Sequence, residues 1–369
     1  MLRRNFAGAA LAAVTFLFLP TSPLVGQTIA GRAFTETNAA DANAIMIYNR
    51  MSDGTLEEAG SVPSGGLGTG AGLGSQGAVA LNENGSLLFA VNAGSNNISV
   101  FLVRESGLSL VGTYPSGGTM PISVSVRGRL LYVLNAGTPN NITGFYIGAG
   151  GALVRIPGSQ RALSADATGP AQVGISPDAA FIVVTEKDTN TLDVFGLGPN
   201  GFPGQLITTP SNGMTPFGFE FGQNSQVYVS EAFGGAENAS AISSYKLEAN
   251  GSLTVITPSA PTQQSAACWV AVNPGNRVAY TTNTGSSSLS GFGISLNGIL
   301  TLLTPDGRTG VTPEGSMPID ADFSVDGKYV YALTSGVAGI TGFSLGTDGS
   351  LTSVSTVAAP ATAAGLAVR

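Results

Sequence analysis

The stretch that decides the fold is Leu88-Phe89-Ala90-Val91-Asn92-Ala93-Gly94-Ser95-Asn96-Asn97-Ile98-Ser99-Val100-Phe101. An apolar run ends on a polar residue, and an aromatic residue closes the apolar run that follows. Versions of this stretch recur along the chain with the same order of residue types. The further copies begin at Leu131, Ile182, Val227, Ala279 and Val330, and a degraded first copy begins at Ala33.

The spacing of the copies predicts the architecture. The closing aromatic residues follow each other at intervals of 44 to 53 residues. A period of about 40–50 residues filled with short strands is typical of a β-propeller. Seven closing aromatics therefore predict an all-β fold, a seven-bladed β-propeller with four antiparallel strands per blade. The closing residues are Tyr48, Phe101, Phe145, Phe195, Tyr245, Phe292 and Phe343.

The two ends of the repeat region predict how the ring closes. The first copy lacks an innermost strand, whereas the chain finishes with Gly365-Leu366-Ala367-Val368-Arg369. That segment resembles the innermost strand Trp269-Val270-Ala271-Val272 of a later copy. We expect this C-terminal strand to complete blade one and to pair its open edge. Residues 27–369 are therefore expected to form a single propeller domain.

Residues 1–26 have the pattern of a secretory signal peptide. Arg3 and Arg4 form a basic start, residues 6–19 are apolar, and residues 20–26 lead to an expected cleavage before Gln27. The apolar run is short for a membrane span. We therefore expect a periplasmic or secreted protein that has no membrane span once this segment is removed. An uncleaved anchor is the alternative.

Composition excludes several classes of function. The formal net charge is −7 and the pI is about 4.6, which argues against a nucleic-acid partner. The chain has no histidine and one cysteine, Cys268, so a Ser-His-Asp triad and a cysteine-based metal site are excluded. No metal site and no cofactor is predicted. We expect a monomer whose partner is a small molecule or a glycan.

The two faces of the predicted ring differ in their loops. On one face, here named the long-loop face, lie the connections between blades, the starts of the first strands and the ends of the second strands. The opposite face, here named the short-turn face, carries tight turns. The sequence predicts a pocket on the long-loop face, at the mouth of the central channel. The polar residues that end the second strands are candidate ligand-binding or catalytic groups, namely Asn92, Asn135, Glu186, Glu231 and Asn283.

Two of these residues are acidic where three other copies have asparagine. Glu186 and Glu231 are therefore candidate acid or base groups. The structural alternative is that each carboxylate accepts hydrogen bonds from loop amides, as asparagine would. The candidate cations on the same face are Arg161 and Lys187.

Three further residues are candidate ligand contacts. The innermost strands crowd around the axis and need small side chains, yet one axial position carries Glu220 and Asp322. Two carboxylates there could bind a ligand, hold a cation or act as acid and base, or they could be hydrated in a water-filled channel. Trp269 could stack on a ligand ring, and packing between blades is its alternative role.

The repeats resemble the Tyr-Val-Thr-Asn type of the seven-bladed β-propeller lactonase family, which includes 6-phosphogluconolactonase and the carboxymuconate-lactonizing enzyme. The resemblance is carried by residues 88–101, by residues 184–195 and by Ala266-Ala267-Cys268-Trp269-Val270-Ala271-Val272, and it covers essentially the whole chain after residue 26. It implies the propeller fold and the hydrolysis of a lactone. Glu231 and Glu186 resemble the acidic position that such enzymes use at the channel mouth, whereas their histidine has no counterpart here.

Two functions follow from these observations. The first is an exported hydrolase that opens a lactone with water activated by Glu231 or Glu186, while Arg161 or Lys187 steadies the oxyanion. The second is a non-catalytic extracytoplasmic propeller that binds a glycan, a peptide or an envelope protein on its long-loop face.

Overall fold

The strands of the chain form seven antiparallel sheets, as seen in a computed structural model that describes residues 1–2 and 27–369. The predicted signal peptide falls almost entirely on residues outside the described part. Within the described part, no helix combines the length and the apolar character that a membrane crossing requires. The predicted architecture of seven blades with four antiparallel strands each is confirmed.

Blades one to three follow the repeat order of the sequence. Blade one contains β1 (Ile29–Glu36), β2 (Ala44–Met51), β3 (Leu56–Pro63) and the C-terminal strand β30 (Ala364–Val368). Blade two contains β4 (Val79–Leu81), β5 (Leu87–Asn92), β6 (Asn97–Arg104) and β7 (Gly107–Pro115). Blade three contains β8 (Pro121–Arg127), β9 (Leu130–Asn135), β10 (Asn141–Ile147) and an outer strand split into β11 (Leu153–Arg155) and β12 (Arg161–Ala162).

Blades four to seven repeat the same plan. Blade four contains β13 (Pro170–Ile175), β14 (Phe181–Glu186), β15 (Thr191–Leu197) and β16 (Pro203–Pro210). Blade five contains β17 (Pro216–Phe221), β18 (Gln226–Glu231), β19 (Ala241–Leu247) and β20 (Leu253–Pro261). Blade six contains β21 (Ala267–Val272), β22 (Val278–Asn283), β23 (Ser288–Ile294) and a split outer strand of β24 (Leu300–Leu302) and β25 (Gly310–Val311). Blade seven contains β26 (Pro318–Phe323), β27 (Tyr329–Thr334), β28 (Gly339–Leu345) and β29 (Leu351–Ala358), and short 3-10 helices lie at Ala149–Gly151, Phe233–Gly235 and Thr284–Ser286.

The C-terminal strand closes the ring as the sequence predicts. In blade one, β30 pairs antiparallel with β1, with Phe34 opposite Ala367. Blade seven grips the same strand from the other side, because the Asp320 and Asp322 carboxylates accept hydrogen bonds from the backbone N–H groups of Leu366 (3.1 Å) and Val368 (2.7 Å). Both edges of the last strand are therefore occupied, which removes an open edge from the sheet.

The aromatic residue in the repeated second strand joins neighbouring blades. The second strands are buried on both faces by adjacent blades, which explains their nearly continuous apolar sequence. A tyrosine hydroxyl in this strand reaches the backbone carbonyl of a glycine in the turn between strands three and four of the next blade. This contact occurs from Tyr280 to Gly349 (2.6 Å), and equally from Tyr132 to Gly201 (2.6 Å) and from Tyr331 to Gly54 (2.8 Å).

The innermost strands are also joined, by side chains that pair with the backbone of the next blade. In blade four, the Gln172 amide donates to the carbonyl of Phe219 (2.9 Å) and accepts from its N–H (2.7 Å). In blade three, the Ser123 hydroxyl accepts from the N–H of Val173 (3.2 Å). Such contacts satisfy the backbone of strands that face the axis rather than another strand.

Residues 64–78, here named the strap, link the outer strand of blade one to the inner strand of blade two by way of the channel axis. Seven of these residues are glycine, which allows the backbone to lie close to its surroundings. The strap reaches blades that are not neighbours of blade two, because the Gln76 N–H donates to Ala171 O in blade four (3.1 Å) and the Trp269 indole in blade six donates to Ser75 O (2.8 Å). Ser75 and Gln76 are 5% and 7% exposed. The strap therefore closes the channel at the long-loop face.

Candidate functional site

Two cavities lie toward the short-turn face, whereas the sequence predicts a pocket on the long-loop face. A cavity of about 630 Å³, here named the channel cavity, runs along the innermost strands from Gln76 to turn residues such as Val325 on the short-turn face. A second cavity of about 950 Å³, here named the outer cavity, lies between the turns that join strands one and two in blades four, five and six. The sequence-based expectation of a pocket on the long-loop face is corrected by this geometry, and the physical reason is the strap, which fills that end of the channel.

Glu220 stands where the two cavities meet, since its side chain lines both of them. It lies near the end of β17, the innermost strand of blade five, at the axial position that small residues occupy in most blades. One carboxylate oxygen accepts a hydrogen bond from the N–H of Phe221 (3.1 Å), and the other has no hydrogen-bond partner among the described residues. Glu220 thus offers a free acceptor to a molecule in either cavity.

Asp322 occupies the equivalent position in blade seven and lines the same channel cavity. Its two oxygens accept from the N–H groups of Phe323 (2.8 Å) and Val368 (2.7 Å). Burial raises the pKa of Asp322 to about 7 despite these hydrogen bonds. Burial, reinforced by the negative charge of Asp322, likewise raises the pKa of Glu220 to about 7. Both carboxyl groups can therefore change protonation near neutral pH, which suits proton transfer.

A third carboxyl group lies deeper on the same inner strand of blade seven. Asp320 is 2% exposed, and its oxygens accept from the N–H groups of Ala321 (2.8 Å) and Leu366 (3.1 Å). Burial raises its pKa well above the usual range. Even so, within the described residues no group of three or more acidic or cysteine side chains is arranged to hold a metal ion.

Glu186 is fully buried at the end of β14 and lines neither the channel cavity nor the outer cavity. Its carboxylate accepts hydrogen bonds from Thr189 (2.5 Å), Thr191 (2.6 Å) and the backbone N–H of Ser164 (3.1 Å). Burial alone would raise the pKa of Glu186, but these bonds and one with Asp193 lower it. The arrangement matches the structural alternative in which a carboxylate fastens loop segments.

The partner of Glu186 in this acidic pair is Asp193, which is also fully buried. Burial, reinforced by the hydrogen bond and the charge of Glu186, raises the pKa of Asp193 to about 8. Its oxygens accept from the hydroxyl of Thr208 (2.9 Å) and the N–H of Ser164 (3.1 Å). The Ser164 N–H donates to both carboxyl groups, so the pair anchors the connection from blade three to blade four.

Glu231 has the same kind of environment in blade five. It is fully buried and accepts from the hydroxyl of Ser243 (2.5 Å), the hydroxyl of Ser259 (2.7 Å) and the N–H of Gly213 (2.9 Å). Burial raises its pKa, and these three hydrogen bonds oppose the rise. Glu231 lines neither the channel cavity nor the outer cavity.

The three candidate asparagines bond to the start of the third strand in their own blades. Asn92, Asn135 and Asn283 are all fully buried at the ends of second strands. The Asn92 amide donates to Asn97 and Ser99 (2.7 Å each), and that of Asn283 donates to Ser288 and Ser290 (3.1 and 2.9 Å). The Asn135 amide donates to Asn141 (3.0 Å). Their burial separates them from both cavities.

Trp269 and Lys187 hold the strap. The Trp269 ring is 5% exposed and packs against Phe217 with ring centroids 4.8 Å apart, which matches packing rather than ligand stacking. The Lys187 ammonium donates to Gly74 O (2.7 Å) and lies 4.7 Å from the centroid of the Phe217 ring. Burial lowers the pKa of Lys187. Cys268, beside Trp269, is buried, and burial raises its thiol pKa to about 11, which keeps it protonated.

Arg161 lies apart from the other candidates, on the outer strand of blade three. Its guanidinium donates to four backbone carbonyls, including those of Gly158 (2.7 Å) and Pro203 (2.6 Å). Of the ten candidates named from the sequence, Glu220 and Asp322 line a cavity, and the other eight do not converge on one. Sequence reasoning missed Gln76, Asn273 and Lys246. The glycine run of the strap was the one available signal for Gln76.

Comparisons with known proteins agree with this architecture. The profile of the family described as "Lactonase, 7-bladed beta-propeller" matches residues 42–160 and 219–365. No curated protein matches the chain in sequence.

Similar solved structures include a periplasmic gluconolactonase from Pseudomonas aeruginosa, with TM-score 0.71 and 16% identity over 92% of this chain and 98% of that one. A protein from Lactobacillus plantarum has TM-score 0.73 and 17% identity over 93% of this chain and 99% of that one. A candidate 6-phosphogluconolactonase from Bacteroides uniformis has TM-score 0.70 and 18% identity over 93% of this chain and all of that one. At these sequence identities the similar structures show the fold alone. The family profile matches most of the chain and therefore shows the family. The chain therefore belongs to the seven-bladed β-propeller lactonase family.

Proposed function

We propose that the protein is an exported lactonase that opens an uncharged lactone in the channel cavity, with Glu220 as the general base. The observation that carries this proposal is the free oxygen of Glu220 at the junction of two cavities, on a carboxyl group whose pKa is about 7. A base that is half ionised near neutral pH combines a useful basicity with a large ionised fraction. Membership of the lactonase family supports the choice of reaction.

The proposed reaction needs one proton relay. Glu220 removes a proton from a water molecule as that water attacks the carbonyl carbon of the lactone. The ring C–O bond then breaks, and the protonated Glu220 returns its proton to the leaving alkoxide, which yields the hydroxy acid. Arg127 lines the same cavity with its Nε atom bonded to Pro177 O (2.8 Å) and 3.6 Å from the Glu83 carboxylate, and its remaining donors favour the negative charge that develops on the substrate.

Asp322 acts in this scheme as a positioning residue that tunes Glu220. Both of its oxygens are engaged with backbone N–H groups, so it presents no free acceptor comparable to that of Glu220. Its negative charge raises the pKa of Glu220. Removal of that charge lowers the pKa of Glu220 and moves the rising limb of the pH–rate profile to lower pH.

The export part of the proposal rests on the sequence of residues 1–26, with a basic start, an apolar run and a polar exit. Fractionation of Gram-negative cells that express the full-length chain tests it. We expect the protein in the periplasm, with an N-terminus near Gln27. A chain retained in the cytoplasm at full length would refute export without bearing on catalysis.

The catalytic part is tested by proton release from glucono-1,5-lactone, corrected for spontaneous opening. We expect Glu220→Gln to lower the rate by about 100-fold or more, and Asp322→Asn to retain activity with a pH profile shifted to lower pH. Glu231→Gln and Glu186→Gln serve as matched carboxylate controls and retain activity if they fold. Loss of activity in a folded Glu231→Gln protein, with full activity in Glu220→Gln, would overturn the assignment.

The alternative function is a non-catalytic extracytoplasmic propeller that binds a glycan, a peptide or an envelope protein. One observation favours it, namely that Glu186 and Glu231 are fully engaged in hydrogen bonds instead of being free to act on a substrate. A broad set of lactones that all resist opening, combined with measurable ligand binding, would favour this alternative.

A further inference from the structure

The outer cavity adjoins the proposed reaction site. Pro177, Glu220, Phe221, Val272 and Pro274 line both this cavity and the channel cavity, so one molecule can occupy both. We propose that the outer cavity is a binding subsite for an uncharged sugar ring, and that the substrate is a lactone bearing a glycosyl substituent. The lactone ring lies at Glu220 and the sugar lies outside it. This inference rests on the proposed function for its lactone part and stands independently for its sugar part.

The turn of blade five is shorter than the turns of blades four and six on either side of it. In blades two, four, six and seven, six residues separate the paired strand ends, and the first of them is Asn82, Ser176, Asn273 or Ser324. In blade five, five residues separate Phe221 from Val227, and the first is Gly222. A Cβ atom at Gly222 would lie 2.5 Å from the Asn276 side-chain oxygen, so a larger residue does not fit there. The shorter turn leaves a recess between its neighbours.

Asn273 presents a hydrogen-bond donor to this recess. Asn273 is 4% exposed, and its side-chain oxygen accepts from the N–H groups of Arg277 (2.7 Å) and Val278 (3.0 Å). That fixes the orientation of the amide, and its Nδ2 atom has no hydrogen-bond partner among the described residues. This nitrogen is not among the fully buried polar atoms that lack a partner, so it is open to the outer cavity, which Asn273 lines. A ligand hydroxyl in that cavity can accept its hydrogen bond.

The blade five turn adds further unengaged polar groups. The side chains of Gln223, Asn224 and Ser225 line the cavity, are exposed, and make no side-chain hydrogen bond within the described residues. By contrast, Asn84 in the corresponding turn of blade two accepts a hydrogen bond from Ser86 within its own turn. Amide and hydroxyl groups both donate and accept, which matches the hydroxyl groups of a sugar.

The charges of the lining exclude a phosphorylated group. The cation Lys246 is outnumbered by Asp178, Glu248 and Glu220 among the residues that line the outer cavity. A phosphate group needs several cations or bidentate arginine, and this cavity lacks both among its described residues. Phe181 and Phe221 are partly exposed in the lining and offer apolar ring surface against which a sugar ring can pack. The volume of about 950 Å³ lies near the top of the range of about 300–1,000 Å³ that is typical of ligand sites.

The kinetic test compares lactones with and without the extra sugar. Maltobiono-1,5-lactone and cellobiono-1,5-lactone carry a glucosyl group, and glucono-1,5-lactone does not. We expect the kcat/KM of at least one disaccharide lactone to exceed that of glucono-1,5-lactone by about fivefold or more, the effect of about one hydrogen bond. A greater kcat/KM for 6-phosphoglucono-1,5-lactone than for either disaccharide lactone would overturn the inference.

Two variants and their matched controls locate the sugar. Asn273→Ser keeps an oxygen for the turn, as Ser176 and Ser324 do in their blades, but removes the Nδ2 donor. Asn82→Ser makes the same change in blade two, away from the outer cavity. Gln223→Trp fills the cavity, and Leu296→Trp, at a residue that is 90% exposed and does not line the cavity, is its control. We expect the first variant of each pair to lose the preference for the disaccharide lactone while its control retains it.

A binding measurement separates this inference from the proposed function. Calorimetry with maltose and cellobiose uses no lactone and reports on the sugar subsite alone. Binding that is lost in Gln223→Trp and retained in Leu296→Trp supports the subsite even if no lactone is opened. Turnover of glucono-1,5-lactone without disaccharide binding or preference refutes the subsite and leaves the proposed function intact. Absence of both binding and turnover refutes both.

Discussion

Gln76 lies where a side chain at Gly218 would otherwise extend. A Cβ atom at Gly218 would be 2.1 Å from the Gln76 side-chain oxygen. That oxygen accepts from the N–H of Val270 (3.1 Å), and the Gln76 amide nitrogen donates to Val270 O (2.7 Å). Gln172 makes the same double contact from blade four to blade five. The strap therefore supplies, from a distant part of the chain, the bridging side chain that blade five lacks.

This relationship predicts coupled mutational effects. Gln76→Ala leaves both backbone groups of Val270 without partners and should reduce the free energy of unfolding by about 1–3 kcal/mol. Gly218→Ala should also destabilise, because its Cβ meets Gln76 and the backbone of blade six, but by less once Gln76 is alanine. Chemical denaturation of the two single variants and the double variant measures the coupling. Gly196→Ala, at a glycine with open surroundings, is the control, and strictly additive effects would contradict the prediction.

The tyrosine contacts between blades predict a second effect. Tyr280→Phe removes the hydroxyl that donates to Gly349 O and should reduce the free energy of unfolding by about 1 kcal/mol or more, because the carbonyl loses its partner in a buried place. Tyr146→Phe removes a similar hydroxyl contact to Asn200 O at the surface and should cost less. Equal denaturation midpoints for the two variants would contradict the proposed importance of the buried contact.

The Glu186–Asp193 pair predicts a dependence of stability on pH. The folded-state pKa of Asp193, about 8, lies above its unfolded value of about 3.9. The folded protein therefore binds the proton more tightly, and the stability that this proton supplies is lost as pH rises from about 4 to about 8.

Asp193→Asn tests this dependence, since its amide can donate to Glu186 without titrating. We expect the variant to gain stability relative to the unsubstituted protein as pH rises across that window. Thermal unfolding at several pH values measures the difference. A difference that stays constant with pH would contradict the raised pKa of Asp193.

The closing strand predicts rescue by a peptide. Deletion of residues 365–369 removes most of the partner of β1 and of the Asp320 and Asp322 carboxylates. We expect the unfolding midpoint to fall by roughly 10 °C or more. A synthetic peptide of residues 364–369 should restore part of the loss by adding a strand to the open edge, whereas a scrambled peptide should not. An unchanged midpoint after deletion would contradict the role of β30 in closure.

The fold was accessible from the sequence because each blade repeats its own constraints. The aromatic residue that closes strand three recurs at a nearly constant interval, and the small residues of Gly365-Leu366-Ala367-Val368 identify an innermost strand wherever they lie in the chain. The position of the candidate functional site was harder to predict from the sequence. Which end of the channel is open depends on the path of a glycine-rich strap that has no strand or helix periodicity.

The two glutamates illustrate why position alone misleads. Glu186 and Glu231 end second strands, where a side chain is expected at a channel mouth. The connections between blades cover both residues, through Ser164 at Glu186 and Gly213 at Glu231. Serine and threonine hydroxyls of the neighbouring strands and turn occupy the remaining hydrogen-bonding positions of the carboxylates. Glu220 and Asp322 were identified correctly as axial residues, because the alignment of innermost strands depends on the repeat and not on the loops.

The strap has a kinetic consequence. In the proposed reaction, a channel that the strap closes at the long-loop face obliges water, reactant and product to exchange through the short-turn face, near Val325 and Pro177. Product that leaves Glu220 therefore departs through the same face of the ring by which the substrate enters. Departure and arrival therefore compete, so accumulated hydroxy acid should slow turnover by occupying the vestibule, and widening that vestibule should relieve the delay.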